Sequence, residues 1–362
     1  MVTVEEGVTA TTTATGNAYT ASVDGTDLSI TSNQTMSGDA FAGTEVNVAS
    51  DLGESSTITT AATGNTGDAG ITSGTMSGVF NQLNDGVNVE ARSWIEGQNA
   101  QAGDITSATQ AIANSQGLGL VNGSAGARIS QQNSANTSAE AGVVMQYTPG
   151  ESSLATSAAG NNATSVGVFG SAQRLETSQN NTAAETRADS FAAYGNSYIS
   201  TTSATATGNN VSITNEGGLL EVANSQNNES AVGAEAEASS YDFGAGTALA
   251  YGVGNSALAG NAGPELIFDN VQNNEGGVEV VASFTGNGGY DATTSSTAMG
   301  NAVTGYACAV CEASMAVNNT QTNSAAVRAQ SSTTVTGSAR SVTGVATAVG
   351  NSGTFYVTRP PE

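Results

Sequence analysis

Small or branched apolar residues alternate with polar ones along most of this chain. Clear runs are Val87/Val89/Ala91, Val232/Ala234/Ala236/Ala238, Val278/Val280/Ala282 and Ala325/Val327/Ala329, with shorter ones at Leu220/Val222 and Leu266/Phe268. A period of two sustained over such stretches predicts β-strands with one buried face. No stretch shows helical periodicity, and of the strong helix formers Lys is missing and Leu is rare. The prolines fall beside glycine (Pro149, Pro264) or at the C-terminus (Pro360, Pro361), where they spare the strands. The chain reads as all-β.

Two markers recur along the 362 residues with one period. Gly-Asn stands at Gly16-Asn17, Gly64-Asn65, Gly160-Asn161, Gly208-Asn209, Gly254-Asn255, Gly300-Asn301 and Gly350-Asn351, and Ala113-Asn114 takes the missing place. A Gln in an Asn-rich setting recurs at Gln34, Gln82, Gln131, Gln179, Gln226, Gln272 and Gln321. Steps of 46 to 50 residues separate successive copies of either marker. Such a period signals stacked repeats. A propeller blade of this length would carry aromatic or Trp-Asp markers, and the chain has one Trp. Small residues and Asn suit a repeat β-solenoid (parallel β-helix) of about seven 48-residue repeats. Equivalent residues would then stack about 4.8 Å apart.

In that arrangement Asn17, Asn65, Asn114, Asn161, Asn209, Asn255, Asn301 and Asn351 are expected to form an internal amide ladder. Gln82, Gln131, Gln179, Gln226, Gln272 and Gln321 are expected to do the same. The alternative is that these amides bind sugars. Each repeat holds two strand–Asn–strand halves, which reads as two unequal coils turned by Gly-Asn and Gln-Asn-Asn; one wide coil per repeat is the other option. The expected division is a lead-in cap over 1–10, the solenoid over 11–345, and a C-terminal cap and tail over 346–362.

Charge then narrows the function. The net charge is −24, with 31 acids against seven Arg and neither Lys nor His. Nucleic acid and anionic headgroups are excluded as partners. No apolar run approaches the roughly 20 residues of a membrane-spanning helix. The opening MVTVEEGVTA is not a secretory signal, while the composition suits an exported surface protein whose signal has been removed. Without His or Lys, no Ser-His-Asp, Cys-His or Schiff-base chemistry can be assembled. Paired carboxylates acting on a glycosidic bond are the surviving catalytic route. Such enzymes carry irregular loops, and this chain keeps a nearly constant spacing, so a non-enzymatic protein without cofactor is expected.

Other side chains carry weaker signals. Cys308 and Cys311 lack further soft ligands for a metal and a helix for redox chemistry, leaving a local disulfide or two packed thiols. Glu90, Glu140, Glu185, Glu235 and Glu279 recur after the Gln marker as a solvated acidic face; Ca²⁺ is a weak option there, since no Asp-rich consensus appears. Trp94, Phe191 and Phe284 each follow their Gln by 12 residues, and Tyr147, Tyr194 and Tyr241 come shortly after. Such a row could stack on sugar rings or fill the interior.

The texture of SQNNTAAET, NSQNNESAV and TATGNN resembles the HfaD family of holdfast anchor proteins from stalked alphaproteobacteria such as Caulobacter, over residues 8–357. The resemblance implies an exported, cell-surface protein associated with the outer membrane at the cell pole. It would tether an adhesive polysaccharide together with other anchor proteins of the envelope, reaching the membrane through partners rather than a transmembrane helix. Self-assembly is a further option. The competing readings are a β-helical polysaccharide hydrolase or lyase using acidic residues, and a surface-layer or fibre subunit.

Overall fold

In the computed structural model, residues 6–308 and 313–358 are described. Among them every regular element is a strand, and neighbouring strands pair in parallel in two sheets of eleven and seven strands. The seven-stranded narrow sheet stacks the Gln-bearing segments, such as Leu220–Asn228 and Glu265–Asn274. The wide sheet carries the rest of each coil, as in Ala231–Asn261. Alternation in the sequence thus becomes alternation between core and solvent, for instance over Val232, Ala234, Ala236 and Ala238, all buried.

Pairing settles the width of the coil. Gln179 pairs with Gln226 and Gln226 with Gln272, and Asn209 pairs with Asn255. Each strand therefore meets its equivalent one whole repeat away, and one wide coil forms per repeat rather than two unequal ones. The Gln residues lie within straight strands; the turn follows the last Asn of the segment, as after Asn228. The strand Ser341–Thr358 pairs in parallel with Val278–Cys308 and extends the wide sheet to its C-terminal end. Thr9 and Ala10 likewise open the first strand. Val87 drops out of the alternation, exposed in the turn before Asn88–Gln101.

The Gly-Asn pair is where the chain changes its inward face. Gly252, Val253, Gly254 and Asn255 are buried in succession, so inward positions shift from Ala248 and Ala250 to Ala257 and Ala259. Residues on either side of this break belong to two apolar clusters, one within the wide sheet and one against the narrow sheet. A Cβ on Gly208 would stand 2.3 Å from the Asn228 side chain and 2.5 Å from the Gly254 carbonyl oxygen. Asn therefore dictates the glycine beside it.

Between the two clusters run the amides. Asn17 donates from Nδ2 to Oδ1 of Asn65, and the series continues through Asn114, Asn161, Asn209, Asn255 and Asn301 to Asn351 at 2.7–2.8 Å. The second N–H of each reaches a carbonyl of the narrow sheet, as Asn209 does to Asn227 O at 2.8 Å. The Gln series donates the other way. Gln321 gives to Gln272, and so on through Gln226, Gln179, Gln131 and Gln82 to Gln34, at 2.7–2.8 Å. Its second N–H crosses back to the wide sheet, as from Gln226 to Ser256 O at 2.9 Å. A third ladder runs from Asn133 through Asn181, Asn228 and Asn274 to Asn323. A core made mostly of Ala is thus pinned by amides whose donors all find partners, which is what burial demands.

Tyr194 shows the same economy at one position. It faces inward against Ser152, and burial pushes its pKa up to about 12. An unfolded Tyr titrates near 10, so the folded state holds the proton more tightly. Stability from this group is complete below pH 10 and is lost as the pH rises from about 10 through about 12, by about 2–3 kcal/mol. Tyr194→Phe should therefore flatten the alkaline limb of a denaturant-melt series. Tyr19 and Tyr251, also raised by burial, leave a residual slope. An unchanged alkaline limb in the variant would refute the assignment.

Candidate ligand-binding face

The aromatic positions divide by the face of the strand they occupy. Phe284 turns inward at 1% exposure, edge-on to Phe243 with ring centroids 5.0 Å apart. It belongs to the core and not to any ligand row. Trp94 and Phe191 turn outward, their rings parallel within 3° and 6.2 Å apart. They lie two coils apart in one column, Glu45–Trp94–Gly142–Phe191–Glu237, and lean together over Gly142. A Cβ on Gly142 would stand 2.0 Å from the indole, so only glycine lets the ring lie flat there. Tyr19 over Gly67 repeats the device in the core.

Charged groups frame this pair. A concavity of about 510 Å³ is lined by Phe41, Glu45, Arg92, Trp94 and Glu140. Phe41 is 59% exposed, a large apolar surface left to solvent. Arg92 meets Glu140 at 2.7 Å and Glu90 at 3.6 Å, and Arg187 meets Asp189 at 2.6 Å and Glu235 at 2.7 Å. Burial raises the Asp189 carboxyl above the usual range, partly offset by Arg187. Carboxylates expected to form an acidic stripe are thus interleaved with arginine. Among the described residues no group of three or more His, Cys, Asp or Glu could hold a metal ion.

Beyond the next corner lies a groove of about 670 Å³ crossing several coils. Its walls are Tyr147, Tyr198 and Tyr290, at 46%, 61% and 63% exposure. Of the three tyrosines expected to join the aromatic row, Tyr147 lines this groove, Tyr241 is exposed and Tyr194 is inside, while Phe41, Tyr198 and Tyr290 carry no signal in the marker spacing. The sequence signal that the Trp94 ring lies flat on the outer face is the glycine one repeat later, Gly142.

The expected Asn and Gln residues sit in the interior ladders and do not reach this face. The expected Cys308–Cys311 pairing lies outside the described residues. Among the described residues no helix is long and apolar enough to cross a membrane. The family model for holdfast attachment protein D matches residues 2–277 of the chain. No curated protein and no solved structure matches it.

Proposed function

Since the chain belongs to the holdfast attachment protein D family, with its role in holdfast attachment, we propose that it is a non-enzymatic surface tether holding the adhesive polysaccharide to the cell envelope. It is an exported rod, associated with the outer membrane through other anchor proteins. The observation that carries the glycan part of this reading is the outward Trp94–Phe191 pair, flanked by exposed Phe41 and by Arg92. Aromatic faces beside bidentate donors match sugar rings, which offer an apolar face and a polar rim. The rest of the rod supports the role by stiffness, because each coil is fastened to its neighbours by ladders as well as by backbone pairing.

The test uses both rings together. Trp94→Ala with Phe191→Ala should leave the melting curve close to wild type, since both rings are outward. Retention of purified holdfast polysaccharide on immobilised protein should fall about tenfold, or about 1.4 kcal/mol, and cells carrying the variant should detach more readily under flow. Retention equal to wild type would remove glycan contact from this face.

A further inference from the structure

The tyrosine groove lies apart from the Trp94 face, and its construction is independent of it. The paired column Tyr147–Asn196–Asp242–Gly288 runs along one corner of successive coils. Beside it the column Ser197–Phe243–Gly289 forms the floor, with Phe243 buried. Glycines at 244, 288 and 289 remove side chains between Tyr198 and Tyr290. At two of these places the clearance is enforced: a Cβ on Gly244 would stand 2.4 Å from the Tyr198 carbonyl oxygen, and one on Gly289 would stand 2.4 Å from that of Phe243. The groove is therefore open along the rod axis and walled by rings, with Asn196, Asp242 and Ser338 supplying polar groups at its sides.

We propose that this groove binds an extended glycan of neutral or cationic sugars, lying parallel to the solenoid axis. Three observations carry it. Tyr198 and Tyr290 occur two coils apart, about 10 Å at strand spacing, a separation that alternate rings of an extended oligosaccharide can span. Polar groups at the sides can accept and donate to hydroxyls while the tyrosines cover ring faces. Charge selects the sugar class: Asp242 faces the groove and the chain carries −24, so a uronic-acid polymer meets repulsion and an amino sugar meets attraction. Arg340, the cation nearest the far wall, is stacked on Tyr290 at 5.7 Å and paired with Asp291, so it is already neutralised.

The experiment titrates the full chain with three defined probes: a cello-oligosaccharide, a glucosamine oligosaccharide and an oligogalacturonate, followed by calorimetry. The neutral or the cationic probe, or both, should bind, and the oligogalacturonate should not. Tyr198→Ala with Tyr290→Ala should weaken binding at least tenfold. Gly288→Leu should do the same while keeping every tyrosine, since a Cβ there meets no atom closer than 3.4 Å and only fills the groove. Both variants leave Phe41, Trp94 and Phe191 in place, so loss of groove binding reads separately from loss of polysaccharide retention on the other face. Failure of all three probes to bind wild type, preference for the oligogalacturonate, or unchanged binding by Gly288→Leu would each overturn the proposal.

Discussion

Asn209→Ala should lower the unfolding free energy by about 3 kcal/mol or more, while Asn351→Ala should cost less than about 1 kcal/mol. The interior residue is fully buried and makes three hydrogen bonds at 2.8 Å: from Asn161, to Asn255 and to the Asn227 carbonyl. Truncation orphans a donor on Asn161 and withdraws a donor from two acceptors, all where water cannot follow. Each buried orphan costs about 1–3 kcal/mol, and they share one site, so the sum is less than additive. Asn351 is exposed and accepts from Asn301 alone among the ladder residues. Its removal lets water take over. Denaturant melts of the two variants beside wild type check the difference. Equal, negligible shifts would mean that the ladder contributes nothing to stability.

Gly208→Ala is expected to cost about 2–3 kcal/mol, the upper part of the roughly 1–3 kcal/mol range for forcing atoms into a packed core. The new methyl would press on the Asn228 amide and on a backbone carbonyl, and the carbonyl cannot swing away as a flexible side chain could. Gly350 provides the control. A Cβ there meets nothing nearer than 3.7 Å, so Gly350→Ala should change stability by less than about 0.5 kcal/mol. The chain itself shows that the corner can yield once: Ala113 occupies the equivalent place, and the third ladder begins at Asn133, in the strand that follows it. Should the two glycine variants melt together, the corner would be looser than its geometry states.

The ladders and the strands were legible in the sequence because both are local facts repeated at a fixed interval. A residue that must stack on its own equivalent leaves its name at each turn. Coil width was not legible, since the two halves of a repeat look alike and only the pairing of Gln226 with residues 46 and 47 positions away distinguishes one coil from two. Aromatic orientation escaped for a related reason. Trp94, Phe191 and Phe284 share a spacing from Gln, yet small differences in the turn put Phe284 on the other face of its strand: it pairs with Ala238 of the inward row, whereas Phe191 pairs with Glu237. Spacing alone carries no parity across a turn. The tyrosine groove was hidden more completely, because it is defined by glycines that leave room rather than by residues that fill it.

The opposed directions of the two long ladders have an electrostatic consequence. A column of aligned amides is a stack of dipoles, and like the peptide units of a helix it would build opposite partial charges at its ends. Here the Asn column points one way along the rod and the Gln column the other, so their axial moments offset one another coil by coil. The Asn133–Asn323 ladder runs with the Asn column, so it is the one column of the three left without an opposed partner. The two long columns, being opposed, can be lengthened together without building a net axial moment between them.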